Sequence, residues 1–491
     1  MVITSKLLKN TFKQNWSEVF IFDSIHGKRI TYADFFKNIL ICKEVLEKTG
    51  IKKGDKICLI VNNSSELATL YFTSLVMGTI VVPIDPNKGQ TEIEDILSQV
   101  KTSHIVTDSA ILAERYSGLF LGTIAGSFCE GRSVQKHDLD ILNTLEYNSV
   151  YLITFTSGST GIPKGVMHSF TNLVESALAF KTRFALNSAS IFYHNLPMTY
   201  MAGILNLLIL PFVSGSKVVI DERFTVSKIL RFWETPLKYQ VNTFWFIPTI
   251  LVLLLEMDRN TNAIAYFRNT KSIGFVGTAP LNPETGNKFQ EKYRINLFPS
   301  YGLSETLFVS TTHPPLEHLD ATVGQVLEKV SLSFAEDHEI LIEVPWMFQG
   351  YYNKDCNHFF QNKTFRSGDL GFFDTNGMLI ITGRKKDLII RGGINISPKR
   401  IEDFINKTGV FKECVILGLK NYTMGEKTGC FYVSASSLSN ENKNEINRSI
   451  VKELGGDYCI DEFFHLDEIP KNLNGKIDKQ KILQFFPGNS S

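Results

Sequence analysis

At 491 residues the chain is too long for one hydrophobic core, which stops growing near about 250–300 residues, so two or more domains are expected. A composition of 43% hydrophobic and 21% charged residues is that of a soluble globular protein. The net charge of +1, from 51 basic and 50 acidic residues, gives no electrostatic case for nucleic acid or an anionic membrane surface. Seven scattered cysteines without a CxxC pair read as reduced thiols in a cytoplasmic protein.

The opening segment MVITSKLLKNTFKQNW lacks the apolar core of a signal peptide. Thr31 is the expected N-cap of a helix running to about Lys48, with Gly50 as its stop. Phe35, Ile39, Cys42 and Leu46 recur there at helical spacing. Next come a strand in KICLIVNN, a helix in SSELATLYFTSLVMG, a strand in TIVVPIDP, a helix in TEIEDILSQVK and a strand in SHIVTD. That alternation predicts a parallel sheet flanked by helices. The longest apolar stretch, Phe244 to Leu255, is broken by Pro248 and Thr249. It falls short of the ~20 residues that span a bilayer, so it reads as core. Beyond Asp387 lie strand candidates ECVILGL and GCFYVSA and a charged amphipathic helix around Lys443 to Leu454.

The most informative stretch is Thr154-Phe-Thr-Ser-Gly-Ser-Thr-Gly-Ile-Pro-Lys-Gly165, preceded by the apolar Val150 to Ile153. Three glycines among hydroxyl residues cannot build a core, whereas backbone N–H groups and hydroxyls can wrap phosphate oxygens, and Lys164 adds a positive charge. It is not a P-loop, because Lys164 follows Pro163 and precedes Gly165 rather than Ser or Thr. A surface Gly/Ser loop would account for an isolated GSTG, but not readily for the whole string.

This string resembles the signature loop of the adenylate-forming superfamily, which includes acyl-CoA synthetases, adenylation domains of peptide synthetases and firefly luciferases. The resemblance extends from about Thr31 to Lys479. It implies an α/β fold: a large N-terminal domain of stacked, helix-flanked sheets over 1–385 that binds ATP and a carboxylate, and a small mobile α+β lid over 386–491. By the same resemblance Thr156, Ser157, Gly158, Ser159, Thr160, Gly161 and Lys164 hold the phosphates.

Further motifs follow in family order. Ser300-Tyr301-Gly302-Leu-Ser304-Glu305-Thr306 resembles the Tyr-Gly-x-Thr-Glu motif, with Ser304 in place of threonine. The resemblance puts Tyr301 on adenine, Ser304 at the α-phosphate and Glu305 on Mg²⁺, a hard cation that takes oxygen ligands. Gly277, Thr278 and Ala279, in a turn ending at Pro280 and Leu281, resemble the Gly-Ala-Pro-Leu turn lining the adenine and acyl pockets. Asp369, in Arg-Ser-Gly-Asp, would accept hydrogen bonds from both ribose hydroxyls, as a carboxylate with two acceptor oxygens can. In Thr382-Gly-Arg384-Lys-Lys386-Asp387, Arg384 would touch the ribose and Lys386 would be the hinge between domains. Lys476, in Pro470-Lys-Asn-Leu-Asn-Gly475-Lys476, would be the catalytic lysine. Out of their motifs, these residues would read as solvated charges or ordinary turns.

Two departures limit the substrate. Leu196-Pro-Met-Thr-Tyr200-Met201-Ala-Gly203 lies where acyl-CoA synthetases often carry histidine in place of Tyr200, and it holds no aspartate to pair with an amino group. An unpaired buried ammonium would cost several kcal/mol (roughly), which disfavours an α-amino acid. Phe170 stands where many members have histidine, and His168 reads as a packed or exposed residue without a catalytic role. Tyr200, Met201, Gly203 and Thr278 are the expected acyl-pocket residues. Gly392 and Gly393 resemble the Gly-Gly-x-Asn-Ile-x-Pro loop of acyl-CoA synthetases, where paired glycines would let a pantetheine arm approach the backbone. CoA is therefore the expected acceptor and a phosphopantetheinyl carrier protein the alternative. A luciferase-like second step and a catalytically dead binding homologue stay open behind them, the latter opposed by intact Lys164, Glu305, Asp369, Arg384 and Lys476.

Overall fold

The computed structural model describes residues 2–102, 104–128, 133–156, 163–361, 363–391, 394–421, 423–471 and 477–484. By internal contacts the chain divides into two compact units. One comprises Met1–Ser331 with Glu343–Lys363, the other Leu332–Ile342 with Thr364–Ser491.

The first unit is α/β, as expected from the alternating pattern. The helix Tyr32–Lys48 starts at Thr31, whose side chain accepts from the Asp34 backbone while Asp34 reaches back to the Thr31 N–H. That reciprocal capping box satisfies two donors left over at the helix end. A six-stranded sheet runs in the order Leu119–Phe120, His104–Thr107, Lys56–Ile60, Ile80–Pro83, Val150–Thr156 and Lys164–Ser169. Its strands pair in parallel until the last, which returns antiparallel on Val150–Thr156. Ile93, Ile96 and Val100 of the helix Gln90–Val100 bury against Cys58, Val82 and Ile153 of this sheet. This is the i, i+3, i+7 face of an amphipathic helix.

A nine-stranded sheet includes Ile191–His194, Thr243–Phe246, Ile273–Val276, Asn296–Leu303 and Leu307–Thr311. The helix Phe170–Phe184 ties the two sheets together. Phe170 packs edge-on against Tyr151 of the first, at 5.1 Å between ring centroids, and Phe180 packs against Phe275 of the second, at 4.9 Å. Phe170 is fully buried, an aromatic core residue. Phe244 to Leu255 spans the end of the strand Thr243–Phe246 and most of the helix Pro248–Met257. No helix among the described residues is long and apolar enough to cross a membrane.

The second unit is α+β. Glu339–Glu343, Thr364–Phe373 and Leu379–Arg384 form an antiparallel meander. A second sheet contains Ile389–Arg391, Ile394–Ile396, Glu413–Asn421, Gly425–Val433 and Glu462–His465. Alternate residues of Glu413–Asn421 serve two cores. Cys414 and Ile416 meet Ile401 and Ile405 of the helix Pro398–Thr408, while Val415, Leu417 and Leu419 pack with Ile469 and Ile482 on the other face. The period of two along a strand produces this division. The division by contacts falls earlier than the 385/386 boundary read from the sequence. The meander carrying Asp369 and Arg384 groups with the C-terminal elements, and Ser397 Oγ donates to Thr382 O at 2.8 Å. A motif marks a change of function, whereas pairing and packing mark a compact unit.

Candidate active site

The strands that flank the Gly/Ser/Thr string pair with each other. Val150–Thr156 pairs with Lys164–Ser169 so that Thr156 lies opposite Lys164. Ser157, Gly158, Ser159, Thr160 and Gly161 lie outside the described residues. The Lys164 ammonium sits over two rings, 5.4 Å from the Tyr351 centroid and 4.8 Å from that of Phe359. An aromatic face attracts a cation and holds a long side chain that would otherwise sample many rotamers. Tyr351 also donates its hydroxyl to Glu305 Oε1 at 2.7 Å. One tyrosine therefore contacts both the loop's cation and the carboxylate read as the magnesium ligand. Sequence reasoning did not find Tyr351 or Phe359. Tyr351 is adjacent to Gly350, but nothing in that dipeptide says what it faces.

The Ser300–Thr306 segment is held tightly. A Cβ on Gly302 would lie 2.0 Å from Leu307 O, so only glycine fits the turn. Ser300 uses its hydroxyl internally, donating to Phe298 O at 3.1 Å and lying 2.9 Å from Thr311 Oγ1. Ser304 O accepts from the His168 ring Nε2 at 2.6 Å, and Glu305 O accepts from Phe348 N at 2.9 Å. The strand Ile273–Val276 runs parallel beside Asn296–Leu303, which brings Gly277 next to Ser300, with its position for a Cβ 3.4 Å from Ser300 O. Thr278 follows in the left-handed region at φ 71°, a strained conformation for a β-branched residue.

Tyr200 and Met201 are half-buried at the start of the π-helical segment Ala202–Ile209. Gly203 is buried, and a Cβ there would meet Pro197 O at 2.1 Å. The chain's own packing therefore demands glycine at 203. Gly203 O also accepts from His194 Nε2 at 3.0 Å.

In the second unit, Asp369 and Arg384 face each other across the antiparallel pair, with Arg384 Nε 2.8 Å from Asp369 Oδ1. The two residues read as ribose contacts are thus brought together by strand register. Lys386 lies in the short turn Lys385–Asp387; partial burial and then the like charge of Arg384 hold its ammonium below the usual lysine range. Gly392, Gly393 and Lys476 lie outside the described residues. The chain flanking Lys476 is joined by an antiparallel bridge between Lys471 and Ile477.

The donor set fits ATP with magnesium: an oriented carboxylate oxygen at Glu305, a held ammonium at Lys164, and a turn at Gly302 with no room for a side chain. Such a scaffold, on an α/β fold, is compatible with a nucleotide-handling enzyme. The sequence matches the AMP-binding enzyme family over residues 10–352, and the chain belongs to that family. The 2-succinylbenzoate–CoA ligase of Listeria monocytogenes is 24% identical over 460 residues, covering 93% of this chain and 94% of the relative. The sulfoacetate–CoA ligase of Cupriavidus necator is 26% identical over 457 residues, covering 88% of each. ATP-bound MatB from Rhodopseudomonas palustris superimposes with a TM-score of 0.84 at 20% identity, over 98% of this chain and 99% of that one. O-succinylbenzoate CoA synthetase (MenE) from Bacillus subtilis, in complex with ATP and magnesium ion, gives 0.81 at 21% identity, over 97% and 99%. These structural likenesses establish the fold expected from the motifs.

His168 and His194 are fully buried, and burial pushes their imidazoles down to about 4 and about 3. Both are neutral in the folded protein and protonate more readily when the chain unfolds. Their contribution is fully present above the ordinary histidine value of about 6.5 and is lost as pH falls through it towards the folded values. Between pH 7 and pH 5, where few carboxylates titrate, each should cost about 2 kcal/mol of stability. Urea midpoints measured at the two pH values should fall accordingly, and equal midpoints would contradict the burial of both rings.

Proposed function

We infer that this protein is an AMP-forming carboxylate–CoA ligase, and the observation that carries the reading is Tyr351 joining Lys164 to Glu305 within a chain of the AMP-binding family. In the first step a carboxylate oxygen of the acid attacks the α-phosphorus of ATP. The bond to pyrophosphate breaks, leaving acyl-AMP. In the second step the CoA thiol sulfur attacks the acyl carbonyl carbon and AMP leaves. The named ligases among the relatives join acids to CoA, which favours CoA as acceptor. A phosphopantetheinyl carrier protein finds no support among them.

In this reading Lys164 and the hydroxyls from Thr156 to Thr160 offset phosphate charge, and Asp369 with Arg384 grips the ribose. Lys476 meets the charge that builds at the α-phosphate, and Gly392 and Gly393 leave room for the pantetheine arm. Magnesium held at Glu305 would supply further neutralisation of the phosphate oxygens. Residues 1–385 bind ATP and the acid, and Lys386 is the proposed pivot of residues 386–491, which bring Lys476. The cytoplasmic assignment remains a proposal too. It is supported by six cysteines, at 42, 58, 356, 414, 430 and 459, that form no disulfide among the described residues.

The test is a panel of carboxylic acids, including 2-succinylbenzoate and sulfoacetate, scored by pyrophosphate release with and without CoA. Pyrophosphate should appear only with ATP, Mg²⁺ and a competent acid, and acyl-AMP should be detectable when CoA is withheld. ADP as the product would refute adenylation. A carrier protein accepting the acyl group where CoA does not would reverse the choice of acceptor.

A further inference from the structure

The strand Lys164–Ser169 leaves the phosphate loop and is joined on its other edge by the segment 349–352. Met167 N donates to Gly350 O at 3.1 Å, Gln349 N to Met167 O at 2.8 Å, and Tyr352 N to Gly165 O at 2.7 Å. From this joint two side chains reach the Ser304–Glu305 pair. His168 arrives from one strand and takes the backbone. Tyr351 arrives from the other and takes the carboxylate.

The His168 bond has a defined direction. Ser304 O can only accept, so Nε2 carries the proton and Nδ1 is left as an acceptor. Asn172 Nδ2 lies 3.5 Å from Nδ1, and the same amide donates to Met347 O at 2.6 Å. A buried neutral ring is thus satisfied on both sides, and its orientation is fixed. Tyr351 fixes the carboxylate directly, its hydroxyl donating to Glu305 Oε1 at 2.7 Å. A carboxylate anchored through one oxygen keeps lone pairs on the other for a cation. Magnesium tolerates little departure from octahedral geometry, so fixing that oxygen raises affinity without adding a ligand.

We propose that His168 and Tyr351 are positioning residues that clamp Ser304–Glu305 from two sides and thereby set the affinity for metal-bound ATP. The inference rests on the reading of Glu305 as the magnesium ligand. Neither side chain need touch metal or nucleotide. His168 acts through the Ser304 backbone, and Tyr351 acts through the Glu305 carboxylate.

The experiment measures Mn²⁺·ATP binding by electron paramagnetic resonance on the full chain, alongside KM, kcat and melting temperature. The variants are Tyr351→Phe, His168→Leu, His168→Gln and Glu305→Gln. Loss of an outer partner of a metal ligand weakens metal affinity by about 10–100-fold, so Tyr351→Phe and His168→Leu should each lose at least about tenfold. Most of the kinetic loss should appear in KM for the metal–nucleotide complex. His168→Gln, whose amide can donate to the same carbonyl, should recover most of the affinity. A lower melting temperature with unchanged Mn²⁺·ATP affinity in both Tyr351→Phe and His168→Leu would reduce them to structural braces and overturn the proposal. If Glu305→Gln itself binds Mn²⁺·ATP normally, the reading of Glu305 fails, and the clamp fails with it. Loss in Glu305→Gln alone overturns only the clamp.

Discussion

Lys476→Ala should lower the rate of acyl-AMP formation by about 10²–10³-fold, the usual loss when one donor to a developing charge is removed. The same variant should convert supplied acyl-AMP to thioester at close to the wild-type rate. Charge builds at the α-phosphate only while pyrophosphate leaves, so an ammonium aimed there helps the first step and is idle in the second. A lysine suits this role because its charge is compact and its stem long. Pyrophosphate release and thioester formation, measured separately on one preparation, make the test. Comparable losses in both would show that Lys476 acts on folding or on binding common to both steps.

Asp369→Ala should raise KM for ATP by about 10–150-fold, the equivalent of losing charge-assisted hydrogen bonds worth ~1.5–3 kcal/mol. The carboxylate is buried, and its partner Arg384 has a side chain 46% exposed. That guanidinium is already in reach of water, so the melting temperature should move little. This separates binding from stability: KM should shift while the fold persists. Asp369→Asn should behave much like Asp369→Ala, since an amide offers one acceptor oxygen and no charge. Unchanged ATP affinity in both would remove Asp369 from the ribose site.

Much of the scaffold was legible without coordinates. Thr31 followed by Asp34 announces a cap, and Phe35, Ile39, Cys42 and Leu46 announce a helical face; the helix Tyr32–Lys48 has both. The strands Lys56–Ile60, Ile80–Pro83 and His104–Thr107 fall within the apolar runs read as strands. These are local signals, written in residues a few positions apart. The family was equally legible, because the Gly/Ser/Thr string and the motifs around Glu305, Asp369 and Arg384 are short and follow one another in family order.

What surrounds those motifs was not legible. His168 was read as packed or exposed. It is packed, and its partner is a carbonyl 136 residues away. Tyr351 drew no notice, although its hydroxyl reaches Glu305 across 46 residues. The demand for glycine at 203 comes from Pro197 O, six residues earlier, which a turn of the chain brings against it. The grouping of Leu332–Ile342 with Thr364–Ser491 likewise came from strand pairing between distant segments. Sequence by itself determined the local elements and the motifs that mark the family, because both are written in residues a few positions apart. Tertiary structure decided which groups hold them in place, because orientation depends on neighbours that only backbone pairing brings within hydrogen-bonding distance.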